Sequence, residues 1–123
     1  FLDSVLFDSG KADLTKDATE IIDKVSNILK DTNKKVIVEG HTDNLPISTY
    51  RFPSNWELST TRAVNVVKYM INHAGLDPIR LSAAGYADQH PISDNNTVEG
   101  RRDNRRVDMV ILRSNADQPD SGQ

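Results

Sequence analysis

The chain has 123 residues, 37% hydrophobic and 27% charged, which is the size and balance of one globular domain and excludes both wholesale disorder and two full domains. Its 15 Lys and Arg against 18 Asp and Glu leave a formal charge of -3, so no global field draws it to nucleic acid or anionic lipid. With no cysteine there is no disulfide framework, thiol nucleophile or thiolate metal site.

The chain opens at Phe1 without Met or a leader, and no apolar run approaches the roughly 18 residues of a membrane span, so it reads as a piece of something longer. Leu2 to Phe7, with Val5, Leu6 and Phe7, is expected to form a first strand, ended by the turn residues Asp8-Ser9-Gly10. Thr15 is a candidate N-cap. Beyond it Ala18, Ile21, Ile22, Val25, Ile28 and Leu29 recur at three- and four-residue spacing and make one apolar stripe on a helix. Val36-Ile37-Val38 is a β-branched run too short for a helix and reads as a strand buried on both faces, ending at Gly40.

Residues 41 to 54 are polar, contain Pro46 and Pro53, and form a long loop of the kind that often bears function. Ala63, Val66, Val67, Met70 and Ile71 then mark a second amphipathic helix, closed by Gly75 with Pro78 beyond. Its start is either Ser59 or a capping box of Ser54 with Glu57, and in both cases Arg62 lies in the first two turns. Leu81 to Tyr86 is a weaker strand, residues 87 to 104 are a polar stretch, and Val107 to Leu112 returns as a strand. The expected architecture is an α/β (α+β) sandwich, a mixed four-stranded sheet with two main helices on one face. Residues 1–113 form the domain, and the Asp/Gln/Pro/Ser-rich residues 114–123 are expected to be a disordered tail.

Gly40-His41-Thr42-Asp43-Asn44 places a carboxylate, a hydroxyl and an amide where a strand leaves the sheet, a usual place for ligands, although an Asp there is also an ordinary turn former. Arg62 near a helix N-terminus calls for a negative partner, since the macrodipole disfavours a cation; Asp43 or a ligand carboxylate could supply it. Arg101, Arg102, Arg105 and Arg106 are interrupted by Asp103 and flanked by Glu99 and Asp108, without aromatic interleaving, which argues against nucleic acid. His41, His73 and His90 show no metal-ligand spacing, and no nucleophile elbow occurs, so neither a metal, a cofactor nor a catalytic residue is expected.

Three motifs in order carry a more specific signal: Gly40-His41-Thr42-Asp43, then Asn55-x-x-Leu58-Ser59-x-x-Arg62-Ala63, then Gly100-Arg101-x-x-Asn104-Arg105-Arg106-Val107. Together with Phe7-Asp8-Ser9-Gly10 to Leu14, this pattern resembles OmpA-like peptidoglycan-binding domains over roughly residues 5 to 112. The runs Asp43-Asn44-Leu45-Pro46-Ile47 and Phe52 to Ser59 are most similar to the flagellar motor stator branch of that family. Many members have a Gly soon after Thr-Asp and a shorter connection; the longer Pro-containing loop here, residues 44 to 54, suits the stator branch.

The resemblance implies a β/α/β/α/β-β topology and non-covalent binding of the diaminopimelate-containing stem peptide of peptidoglycan. Asp43 would take the ligand's ammonium and Arg62 its carboxylate, a split site suited to a zwitterion. Thr42, Asn44 and Asn55 would add neutral hydrogen bonds, Leu58 and Ser59 would support them, and Arg105 and Arg106 would order the loop and sheet edge. It further implies a homodimer on the extracytoplasmic side of the membrane, an absent N-terminal transmembrane helix, and an ion-channel stator partner. A wall anchor of an outer-membrane protein or lipoprotein unrelated to motility is the alternative, and a murein amidase-like enzyme is the alternative of another class.

Overall fold

A computed structural model describes residues 1–113; the expected tail, residues 114–123, lies outside the described residues. The elements in chain order are α1 (Asp3–Leu6), α2 (Lys16–Lys30), β1 (Val36–His41), α3 (Asn55–Asn72), a 3-10 turn (Pro78–Arg80), β2 (Leu81–Gly85), α4 (Val98–Asn104) and β3 (Arg106–Ile111). They form a mixed three-stranded sheet of order β2-β1-β3, with β2 parallel and β3 antiparallel to the central strand.

The sheet differs from the expected four strands at its first member. Asp3–Leu6 is a single helical turn, and only Leu2, bridged to Arg106, lies in a fourth-strand position. Phe1 exchanges hydrogen bonds with the Val107 backbone and the Asp3 N–H donates to the Arg105 carbonyl, so the segment starts beside β3 and then leaves it. The apolar residues Leu6 and Phe7 are buried, but they enter the core from a turn instead of from a pleated edge.

The remaining elements follow their local chemistry. Thr15 caps α2 by accepting a hydrogen bond from the Ala18 N–H at 3.1 Å. Ser54 starts α3: its hydroxyl accepts from the Trp56 N–H at 3.2 Å and donates to the Glu57 carboxylate, so the earlier of the two candidate starts is the one used. At the other end Gly75 takes φ 78° and the Leu76 N–H reaches back to the Met70 carbonyl, a closure that favours glycine.

The core lies between α2, α3 and one face of the sheet, where Ile22, Leu29, Val36, Val38, Ala63, Val66, Met70 and Val107 are all buried. The central strand is therefore buried throughout on the helix side, whereas on the other face Ile37 and Glu39 are half-buried and burial is reached at His41, at its end. Neither Gly40 nor Gly85 could carry a side chain, because a Cβ would overlap Ser59 on the first and Thr60 on the second. These two contacts bring the first half of α3 down onto the ends of β1 and β2.

The polar stretch 87–104 ends in the helix α4, for which no apolar periodicity gave a signal. Thr97 caps it, accepting from the Gly100 N–H at 2.9 Å, and Gly100 is pressed against the Asp94 carbonyl where a Cβ would overlap. Asn104 is fully buried, and its amide accepts from the Ile92 and Ser93 N–H groups while donating to the Ser93 carbonyl and to Asn95. Those bonds explain the Gly100-to-Asn104 spacing as a device that pins the preceding loop.

Candidate functional site

Asp43 follows β1 and is buried. One of its oxygens accepts from the Leu45 N–H at 3.0 Å, and the other accepts from the Arg105 guanidinium at 2.7 Å. Thr42 is buried beside it, its hydroxyl donating to the Asp43 carbonyl at 2.8 Å and its N–H donating to the Ala87 carbonyl. Asn44 is exposed at the start of the long loop. Asn55 holds that loop to the head of α3 by donating to the Leu45 carbonyl at 2.9 Å.

Arg62 is 4% exposed and sits two turns into α3, beyond the first turn in which a helix macrodipole acts strongly. Burial, and not the helix terminus, is what demands a partner: it pulls the guanidinium below its ordinary pKa, and the nearby Asp3 carboxylate pushes the other way. The compensating anion is Asp3, at 3.1 Å, and not Asp43. Arg62 also donates to the Lys11 carbonyl at 2.8 Å and to the Asp8 carbonyl at 3.4 Å, with its planar group 4.7 Å from the centre of the Phe7 ring. It is thus part of the fold as well as of any site.

Arg105 joins the two halves. It lies 2.7 Å from Asp43 and 3.6 Å from Asp3, so the charges alternate in the order Asp43, Arg105, Asp3, Arg62. A cleft of about 400 Å³ opens beside this row, lined by Asp3, Phe7, Ser9, Gly10, Arg62 and Arg105 among others. Asp3 was not among the residues singled out from sequence. The only available signal was the requirement for an anion near Arg62, because Asp3 belongs to a segment whose path the sequence misassigns as a strand.

Leu58 packs with Ala12, Phe52 and Ile47 in a small second cluster that roofs the long loop. Ser59 is buried and its hydroxyl accepts from the Ala87 N–H at 3.1 Å. Ala87 has φ 51°, a left-handed conformation unusual for a residue with a side chain, and both of its backbone polar groups are bound by Ser59 and Thr42. Arg106 is buried and donates to the Asp108 carboxylate and to the Asn104 and His90 carbonyls.

Residues 6–105 match the sequence profile of the OmpA family, and this is most of the chain. The chain belongs to the OmpA family. This OmpA-like domain is 44% identical over 111 residues to motility protein B of Bacillus subtilis (strain 168), a match that covers 89% of the chain and 42% of that protein. It therefore spans less than half the length of this relative. Among solved structures it resembles the cell wall anchor of the T6SS from Pseudomonas aeruginosa, with TM-score 0.86, 35% identity and coverage of 91% and 78% of the two chains. It also resembles the periplasmic domain of Helicobacter pylori MotB (residues 78-256), with TM-score 0.82, 29% identity and coverage of 90% and 72%. None of the helices among the described residues is long and apolar enough to cross a membrane.

Proposed function

We propose that this OmpA-like domain, residues 1–113, binds the diaminopimelate-containing stem peptide of peptidoglycan without cleaving it. The row of alternating charges from Asp43 to Arg62, of which Arg105, Asp3 and Arg62 line an open cleft, carries this reading, because a free amino acid centre presents an ammonium and a carboxylate together. In the ligand-free arrangement both binding charges are paired internally. Binding then exchanges partners: the ligand carboxylate replaces Asp3 on Arg62, and its ammonium replaces Arg105 on Asp43. Such an exchange keeps every buried charge compensated, which a simple insertion would not. Thr42, Asn44 and Asn55 shape the rim of the Asp43 side.

Pull-down on purified sacculi, with calorimetric titration of a diaminopimelate-containing peptide, tests the reading. Binding should be saturable, and it should be lost in a variant carrying both Asp43→Asn and Arg62→Lys. Release of soluble muropeptides above a heat-killed control would reject the binding-only assignment in favour of an amidase-like enzyme.

The similarity to motility protein B supports a place on the extracytoplasmic side as the wall anchor of a flagellar stator, acting as a homodimer beside an ion-channel subunit through a membrane segment outside this sequence. A second reading, a wall anchor unrelated to motility, is favoured by the likeness to the T6SS cell wall anchor. Restoration of swimming by a chimera carrying this domain on a stator membrane segment would support the first; wall binding without restored motility would support the second.

A further inference from the structure

On the sheet face away from α2 and α3, Glu39 and Asp108 stand directly opposite one another in the β1–β3 register. Like charges so placed across a strand pair repel, and a cation between them relieves the repulsion. Between them lies His41, whose Nε2 is 3.7 Å from a Glu39 oxygen and 3.6 Å from an Asp108 oxygen. His41 is 4% exposed, yet neither of its ring nitrogens makes a hydrogen bond. A buried imidazole with both nitrogens unbonded is a costly arrangement in a native protein.

We propose that Glu39, His41 and Asp108 form a binding site for a divalent transition-metal ion of the zinc class. One ligand atom from each residue lies within 4.8 Å of the other two. Zinc–ligand bonds of about 2.0–2.2 Å place tetrahedral donors about 3.3–3.5 Å apart, so a contraction of a few tenths of an ångström closes the His–carboxylate distances. One imidazole nitrogen with two carboxylate oxygens suits zinc and its first-row neighbours, whereas Mg²⁺ prefers an all-oxygen octahedron.

The surrounding groups orient the donors. The Tyr86 hydroxyl donates to one Glu39 oxygen at 3.3 Å and leaves the other facing His41. The Arg106 Nε donates to the Asp108 oxygen nearest His41 at 3.0 Å, using one of its lone pairs. The rings of Tyr86 and His90 lie against the His41 ring, with centroids 5.2 and 5.9 Å away, and the half-exposed Asp108 leaves a path from solvent. Two carboxylates and one guanidinium leave one negative charge around the imidazole, which favours a cation. The cluster shares no residue with the Asp43-to-Arg62 row.

Calorimetric titration of the metal-free domain with ZnCl₂, backed by CoCl₂ absorption spectra and by melts with and without metal, tests the site. The expected result is one saturable Zn²⁺ per chain, a tetrahedral Co²⁺ spectrum and a raised melting temperature, with MgCl₂ giving no effect. Glu39→Gln and Asp108→Asn, which keep shape and hydrogen-bonding capacity, should each weaken Zn²⁺ binding by about tenfold or more. His73→Ala, at the far end of α3, should leave binding unchanged. Absence of saturable Zn²⁺ binding would overturn the proposal, as would equal binding by wild type and by folded Glu39→Gln and Asp108→Asn. Peptidoglycan plays no part in this readout, so its outcome is independent of the wall-binding reading.

Discussion

The Arg62 guanidinium meets the carboxylate of Asp3 at 3.1 Å, across 59 residues of chain, while Asp43 meets Arg105 at 2.7 Å. In the proposed exchange of partners, Asp3 holds the place that the ligand carboxylate takes. It belongs to a segment held at the sheet edge by a single bridge and a few backbone hydrogen bonds and anchored in the core by Leu6 and Phe7, so the exchange of partners is a movement of the Asp3 side chain and not of the segment.

Asp3→Asn should therefore bind the stem peptide more tightly than the wild type. Removing the internal competitor raises the fraction of molecules with a free guanidinium, and an affinity gain of roughly 3- to 10-fold is expected. The melting temperature should fall, because Arg62 loses its charged partner. Titration and melts on the same sample check both. Weaker binding would instead make Asp3 a contact of the ligand.

For Arg62 the expected loss is of two kinds. Truncation to Ala removes a buried pair and the contact with Phe7, and should destabilise the domain by about 3–5 kcal/mol, far above the ~0–1 kcal/mol of an exposed ion pair. Its burial makes Arg62 a contributor to the fold as well as to the proposed site. Arg62→Lys keeps the charge but not the planar fork, and should bind the peptide less tightly than the wild type. Urea unfolding and peptide titration separate the two effects.

At the junction of α3 and the sheet, Ser59→Ala leaves the buried Ala87 N–H without its acceptor and should cost about 1–3 kcal/mol. Gly40→Ala forces a methyl group against the Ser59 carbonyl and should cost about 1–3 kcal/mol or more as α3 is pushed from β1. Both act on the end of β1, where Ala87 binds Thr42 beside Asp43, so reduced peptide binding should accompany the reduced unfolding midpoint.

Glu57 offers a pH test of the α3 cap. Its hydrogen bond from Ser54 holds the carboxyl below the ordinary glutamate pKa. A carboxylate lowered on folding stabilises the folded state above its unfolded value, ~4.3, and that contribution disappears as pH falls through the folded value. NMR titration should show Glu57 below the usual range, returning to it in Ser54→Ala. An unchanged Glu57 in that variant would remove the hydroxyl as the cause.

Local chemistry in the sequence determined the elements whose signals are short-range: the Thr15 and Ser54 caps, the apolar stripes of α2 and α3, the Gly75 closure, and the order of family motifs. It also placed Asp43 after a strand and Arg62 on the helix that crosses it. Leu2 to Phe7 was misread because a short apolar run is buried equally well by a strand or a turn, and only contacts with β3 and α2 decide between them. Residues 98–104 hid a helix because α4 is seven residues long, with its stability supplied by the Gly100 and Asn104 contacts instead of an apolar stripe. The partners of charged side chains were decided by tertiary structure alone. Electrostatic pairing depends on distance in space, so Asp3 with Arg62, Arg105 with Asp43, and His41 between Glu39 and Asp108 arise only when strands and termini far apart in sequence are brought together.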